Sequence, residues 1–348
     1  MKRSLALILV VAIVLFAGCG TPKAGEQPVQ NSGTAVHVLD TSATTGLTTP
    51  DFDSDGISDA VEDELMMRFA PVVRLHPEEK YLPADISWFV TRVKMCVDVR
   101  LRPDQKFLKL GEVTISSLLS QTYKSQTSGL SAEPTDFFLE QTDIKNGDSF
   151  DDFRKETRVG NSPSDWICYA HIRYAPSDYQ GMYDVQYIFF YAYNGDMAWG
   201  PVESAHEADF EHITVRVESD LSSIHEIYYA AHDAEGKWYM KQISQSVNDG
   251  YSTTTDGRPI VYSGLDSHAS YPWACQWKRT RMPDDYTSEN GPEWDCLNRI
   301  INVGEKANPN PNTMWIQYSG HWGEIGQFSW TTGPYGPAYQ SWWNSDSS

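Results

Sequence analysis

The apolar positions of the chain are not spread evenly. Between 166 and 264 they come in short runs rich in aromatic and β-branched side chains: WICYAHIRYA (166–175), DVQYIFFYAY (184–193), HITVRVES (212–219), IHEIYYAAHD (224–233), KWYMKQIS (237–244) and RPIVYSG (258–264). Runs of this length, separated by turns such as Asp233-Ala-Glu-Gly236, predict consecutive antiparallel strands. Helical spacing is confined to 57–69, 84–94 and 112–121, and 125–165 reads as polar loop. The pattern therefore predicts a mainly β protein, an antiparallel β-sandwich with a few short helices, in one domain over 65–345.

The N-terminus follows a different pattern. Lys2 and Arg3 precede an apolar stretch over 4–18, and Ala17-Gly18-Cys19-Gly20 closes it. That stretch is short for a membrane span. The order resembles a bacterial lipoprotein signal. The resemblance implies a signal peptide over 1–18 and Cys19 as a lipid (palmitate) attachment point, with the protein held in the bacterial cell envelope, at the outer membrane or cell surface. Residues 19–50 are rich in Gly, Pro, Ser, Thr and Gln, a composition that buries little and reads as a tether.

Charge and cysteine count sharpen the picture. The 348 residues carry a formal charge of −20, which leaves no basic excess to neutralise phosphates and excludes broad nucleic-acid binding. With Cys19 set aside, four of the five cysteines remain, an even number in an exported chain. Cys275 and Cys296 flank a charged loop and form one candidate disulfide, leaving Cys96 with Cys168. Three pairings of four cysteines exist, and spacing does not choose among them.

Residues 51–62, DFDSDGISDAVE, carry the most specific local pattern. Asp51, Asp53 and Asp55 stand at positions one, three and five of a twelve-residue loop. Gly56 sits at the sharp turn, the Ile57 carbonyl at seven, Asp59 at nine and Glu62 at twelve. Hard oxygen donors at this spacing fit Ca²⁺. The following AVEDELMMRF is helical, whereas the preceding TTGLTTP is not. The segment 51–64 thus resembles the calcium loops of dockerins and thrombospondin type 3 repeats more than a paired EF-hand. A structural role is expected, pinning tether to domain.

FAPVVRLHPEEKYLP (69–83), HEADFEHITVRV (206–217), RPIVYSGLDSHASYP (258–272), INVGE (301–305), YSGHWGEIG (318–326) and GPYGPAYQSWW (333–343) occur in order. Together they resemble the vacuolar protein sorting-associated protein 62 family over roughly 65–343. This resemblance implies a fold and a site but brings no reaction. His206-Glu-Ala-Asp-Phe-Glu211 is in addition similar to the GHRHDWE heptapeptide of necrosis- and ethylene-inducing-like proteins, β-sandwich toxins that hold a divalent cation at plant membranes. Matching residue by residue, His206, Asp209 and Glu211 are implied ligands, with Asp196 upstream. Ala205, Ala208 and Phe210 depart from the motif.

Strand parity bears on the same residues. Asp209 and Glu211 share a face with Ile213, Val215 and Val217, so their carboxylates continue an apolar side and need a cation or an Arg to compensate. Asp196, His206, Asp209, Glu211 and His268 form a candidate site for a second Ca²⁺, Mg²⁺ or Mn²⁺. The alternative is a salt-bridged strand end with Arg216 or Arg173. His212 has opposite parity and is expected at the surface or behind the ligands. His76 and Glu79 read as a packed turn. Ser267-His268 is no dyad by itself, because neighbouring residues in a strand point apart.

The expected function is a lipid-anchored, cation-binding β-sandwich that engages glycan, lipid or protein. A metal-dependent hydrolase, with His268 or His212 as base, and a membrane-active toxin-like protein are the alternatives. No complete catalytic constellation is visible in the sequence, and a row of exposed aromatics beside the ion would favour the binder.

Overall fold

The Tyr183–Asn194 and His206–Val217 strands form the spine of the molecule. They pair antiparallel from Tyr183 opposite Val217 to Asn194 opposite His206. Around them a six-stranded sheet runs in the order Lys237–Met240, Ile224–Tyr229, His206–Val217, Tyr183–Asn194, Cys168–Tyr174, Ile300–Asn302. The computed structural model describes residues 49–98, 105–119, 123–124, 131–142, 152–195, 205–232, 236–240, 250–279 and 283–345. The signal segment, Cys19, the tether up to residue 48 and Asp196 lie outside the described residues.

The sandwich has three layers. One face of the central sheet, with Val185, Tyr187, Phe189, Tyr191, Ile213 and Val215, packs on Val73, Val261 and Trp294 and on Leu65, Met66 and Phe69 of the Asp59–Arg68 helix. These partners include a four-stranded sheet ordered Ser270–Tyr271, Ile260–Ser263, Val72–Arg74, Glu293–Asp295. The other face, with Ile188, Phe190 and Phe210, packs on Val93, Met95, Phe137 and Leu139 and on Trp315, Tyr318 and Trp322. Those first four belong to a three-stranded sheet of Gln105–Leu108, Val93–Val97 and Phe137–Gln141. Burial on both faces explains why 184–193 reads as an almost unbroken apolar run rather than an alternating one. Each large side chain so buried contributes about 1.5–3 kcal/mol.

The sheets are mainly antiparallel, as expected, with two parallel exceptions. Val72–Arg74 runs parallel to Ile260–Ser263, and Ile300–Asn302 parallel to Cys168–Tyr174. Among the helices, 57–69 appears as Asp59–Arg68. The segment 84–94 shortens to Ile86–Val90, because from Val93 the chain joins a sheet. Among the described residues of 112–121, a 3₁₀ turn at Ser117–Leu119 is the helical element. The span 125–165 is not all loop: it contains Phe137–Gln141 and the Asp152–Val159 helix. Among the described residues no helix is long and apolar enough to cross a membrane.

The cysteine pairing corrects the expectation. No disulfide joins Cys96, Cys168, Cys275 or Cys296 in this structure. Cys96 sits in the three-stranded sheet beside Glu140, 3.4 Å from its carboxylate, whereas Cys168 belongs to the core on the opposite face of the central sheet. A whole sheet therefore separates the expected Cys96–Cys168 pair. Cys275 lies half-buried beside Thr287, whose hydroxyl its N–H reaches at 2.8 Å, while Cys296 lies in the main core with Cys168.

Five of the described tryptophans are buried in the core. Trp166, Trp294, Trp315, Trp322 and Trp343 are buried, whereas Trp330 is exposed, stacked on exposed Phe328.

Candidate functional site

The 51–62 loop is shaped by its own side chains. Asp51 accepts hydrogen bonds from the N–H groups of Ser54 (2.8 Å) and Gly56 (3.1 Å), and Asp59 accepts from Phe52 N–H at 2.8 Å. Ser54 and Gly56 take left-handed backbone angles, φ 64° and 92°, which turn the chain sharply between the acidic positions. Asp55 accepts from Ile57 N–H at 2.6 Å, and the Gly56 carbonyl is held by the Tyr174 hydroxyl at 3.0 Å. Ile57 buries its side chain in the core.

This folding brings carboxylates together without neutralising them. Asp51, Asp53 and Asp55 each place one oxygen within 4.8 Å of the others, the only such group of three or more metal-ligating side chains among the described residues. Asp53 is 5% exposed and neither of its oxygens has a hydrogen-bond partner. Glu62 is 2% exposed and one of its oxygens is likewise unpartnered. Burial first, and the neighbouring carboxylates second, push Asp53 up to about 6 and Glu62 up to about 8. Asp55 is raised as well, again chiefly by burial.

The loop does not stand alone. A cavity of about 320 Å³ is lined by Asp53, Asp59, Glu62 and Asp63 on one side and by Asn302, Asn310 and Pro311 on the other, with Phe52 at its edge. The Asn302 side chain lies beside the Glu62 carboxylate, and Asn308 donates to the Asp53 carbonyl at 3.0 Å. A Cβ on Gly304 would lie 3.3 Å from that of Asp53, so the backbone there packs close against the loop. Glu305 adds a further negative charge near Asp53 and Asp55, itself held by His171 Nε2 at 3.0 Å. Phe52 and Tyr174 are 57% and 50% exposed beside this site, with Tyr183 stacked on Tyr174. Asn302 and Glu305 were missed by spacing arguments because some 250 residues separate them from the loop; the one sequence signal was that INVGE formed one of the ordered motifs.

The strand site is built differently. Asp209 and His268 do come together, His268 Nδ1 standing 3.0 Å from Asp209 Oδ2. On its other edge the imidazole meets the Tyr81 carbonyl at 3.1 Å and Glu79 at 3.7 Å. Tyr191 stacks face to face on the ring, 3.8 Å away. Glu79, expected as a packed turn, is fixed by the N–H groups of Lys80, Tyr81 and Asp266 and faces His268 with its carboxylate. Burial opposes charge on His268, but Glu79 and Asp209 outweigh it and raise the imidazole to about 9. Burial works against the charged form of Glu79, but His268 and the Tyr81 and Asp266 amides outweigh it and hold the carboxyl below its ordinary range. A protonated imidazole donates at both nitrogens and has no lone pair for a metal. Asp209 is therefore compensated by a cation of the chain itself.

The remaining candidates take other places. His206 turns its Nδ1 to the Ala208 carbonyl at 2.7 Å. Glu211 lies half-buried on the same strand, opposite Phe189. Arg216 and Arg173 pair with Asp184, and Arg216 also with Glu226 at 2.6 Å, rather than with Asp209. His212 is on the opposite face, as parity requires, but it is buried under Trp342 at 4.0 Å, because the C-terminal segment covers that face. Burial first, then Arg173, lowers it to about 3. Ser267 is fully buried, with its hydroxyl near Asp285 and hydrogen-bonded to no imidazole. Ala208, Asp266 and His268 all adopt left-handed angles (φ 57°, 62° and 57°), each a cost of about 1–3 kcal/mol accepted where charged groups are positioned.

No protein-family model matches the chain. It is 24% identical over 332 residues to vacuolar protein sorting-associated protein 62 of Saccharomyces cerevisiae, covering 79% of this chain and 67% of that protein. A second vacuolar protein sorting-associated protein of the same yeast, TDA6, is 22% identical over 323 residues, covering 79% and 66%. The chain thus spans about two thirds of the length of these relatives. Among solved structures, Necrosis and Ethylene inducing Protein 2 from the causal agent of cocoa's witches' broom disease overlaps with a TM-score of 0.33 at 13% identity, over 78% of this chain and 87% of that one. NLPPya in complex with mannosamine gives a TM-score of 0.29 at 13% identity, over 77% and 82%.

Proposed function

We infer that this chain, a sequence relative of vacuolar protein sorting-associated protein 62, is a cell-envelope binding module completed by a divalent cation. The supporting observation is the set of buried, unpartnered oxygens on Asp53 and Glu62 beside Asp51 and Asp55. Unpaired carboxylates are costly to bury, and among the described residues no cationic side chain forms an ion pair with Asp53 or Glu62. A hard cation does, and an all-oxygen donor set suits Ca²⁺. Asp53 and Glu62 would hold the ion where the 51–62 loop already meets the 302–310 segment, and its charge would strengthen that contact. Such an ion would supply Lewis-acid charge beside the cavity that Asp53 and Glu62 line.

The ligand class follows from the walls of that cavity. Asn302 and Asn310 offer amide donors and acceptors, while Phe52 and Pro311 offer apolar faces. Amides and a flanking ring beside an oxygen-seeking ion suit a hydroxyl-rich ligand, a glycan. Lipid attachment at Cys19 would hold the module at the envelope surface. A hydrolase is less well supported, since Ser267 faces Asp285 and His268 is held between Glu79 and Asp209.

Two measurements test this reading. Calcium titration of the purified protein is expected to show saturation in the 10⁻⁴–10⁻³ M range typical of extracellular modules (order of magnitude), weakened at least about tenfold in Asp53→Asn and Glu62→Gln. Unaltered affinity in both variants would overturn the loop site. Glycan-array binding with and without chelator tests the ligand: binding that survives chelation separates ligand from cation and rejects their coupling.

A further inference from the structure

Cys168 and Cys296 are about 130 residues apart in sequence, yet their thiols lie in one core, and the nearness of Cys168 helps burial to push the Cys296 thiol up. Both are fully buried in one core, with Tyr187 against the pair. Their backbones are tied as well. Cys168 N–H donates to the Arg299 carbonyl at 3.0 Å, and Arg299 N–H to the Cys296 carbonyl at 3.2 Å. Cys296 N–H in turn donates to the Pro71 carbonyl at 3.1 Å, beside the four-stranded sheet. The two residues thus stand where the central sheet and the four-stranded sheet meet.

We propose that Cys168 and Cys296 form a disulfide that staples these two sheets. The proposal rests on the export reading only for the supply of oxidant in the cell; the pairing itself rests on the fold. The chemistry is thiol–disulfide exchange. A thiolate of one cysteine attacks an oxidised thiol partner, such as glutathione disulfide, forming a mixed disulfide and releasing one reduced thiol. The second cysteine thiolate then attacks the protein sulfur and expels the other. Two protein thiols lose two electrons and two protons, and one disulfide is reduced to two thiols.

Burial dictates when this happens. A thiol in an apolar core resists ionisation and is shut off from a partner in solution. The bond therefore forms while the chain folds, before the sheets close over it, and is then shielded from reductant. Closure of a loop this long constrains the unfolded chain strongly in the loop-entropy account. Cys96, beside Glu140, and Cys275, beside Thr287, stay reduced in this proposal.

The test is refolding of the purified chain in a glutathione redox buffer, followed by alkylation in denaturant and peptide mass mapping. A single cross-linked peptide containing Cys168 and Cys296 is expected, absent from Cys168→Ser and Cys296→Ser. The bond should survive dithiothreitol in the folded protein and be lost once denaturant is added. Its reduction should lower the melting temperature by roughly 5–10 °C. Alkylation of both residues in the refolded wild type, or a Cys275–Cys296 peptide, overturns the proposal. Both read-outs use the wild type, so a variant that fails to fold does not blunt the test. In vitro oxidation also separates it from the export reading: a bond formed in the buffer but missing in protein isolated from cells would reject export alone.

Discussion

The loop at 51–62 and the cluster around His268 face one physical problem and solve it in opposite ways. Both place carboxylates where water is scarce. At Asp209 and Glu79 the chain supplies its own cation, an imidazole held between them under Tyr191. At Asp53 and Glu62 it supplies more negative charge instead, from Asp51, Asp55, Asp59 and Glu305. An internally compensated cluster is a fixed part of the fold. An uncompensated one asks for an ion from outside, and makes the fold responsive to it. Burial alone therefore does not identify a metal site. What separates the two is whether the buried oxygens already have partners.

The largest effect expected from this contrast is at His268. His268→Ala leaves Asp209 and Glu79 without their cation and should cost about 3–5 kcal/mol, read by urea denaturation. A loss below about 1 kcal/mol would mean the cluster is not the compensated pair described here. Next in size is removal of divalent cation. If Ca²⁺ at 100 times its dissociation constant fills the loop, chelation should cost about 2.7 kcal/mol, and an indifferent melting curve would count against a structural ion.

The pH response distinguishes the two regions further. The folded-state value of His268 is raised, so its contribution is fully present below the ordinary histidine value of about 6.5 and is lost as pH rises through about 9. The loss should reach roughly 2–3 kcal/mol. In chelator, Asp53 and Glu62 are raised in the same sense, so the ion-free loop should destabilise the protein as pH climbs from about 4 through 6 to 8. With Ca²⁺ present that lower segment should flatten while the rise through 9 still weakens the fold. A lower segment unchanged by Ca²⁺ would refute the assignment.

A smaller but more diagnostic effect is expected for Glu62→Gln. It should destabilise by about 1–2 kcal/mol with Ca²⁺ and be neutral or stabilising in chelator, because it removes both a ligand and a repulsion. The same sign in both conditions would break the comparison. Smallest is Lys278→Ala, whose ion pair with Asp284 is exposed on the lysine side and screened by solvent, so its thermal unfolding midpoint should stay within error of the unaltered protein.

Particular residues show how far the sequence could be followed. The spacing of Asp51, Asp53, Asp55 and Glu62 is local, and a local turn sets it, so four residues sufficed to locate the loop. The parity that placed Asp209 with Ile213 and Val215 is equally local and matches the shared core face of the strand. Glu79 was legible only as a turn, because the imidazole it faces lies 189 positions further along the chain. Val93–Val97 was hidden inside an apparent helix, since PADISWFVTRV keeps apolar residues at helical spacing until the sheet claims its end. Phe137–Gln141 was masked by polar flanks that say nothing of the neighbouring Val93–Val97 strand.

By itself, then, the sequence determined what depends on near neighbours: a β-rich chain, the strand runs at its centre, the acidic loop and the faces of individual strands. Only the tertiary structure decided that the central sheet is covered on both sides, that His268 meets Glu79, that Asn302 reaches Glu62, and that Cys168 meets Cys296. Backbone periodicity and turn chemistry act over a few residues and are written in order. Which carboxylate finds a partner depends on groups brought together from hundreds of positions apart, and that is settled by packing.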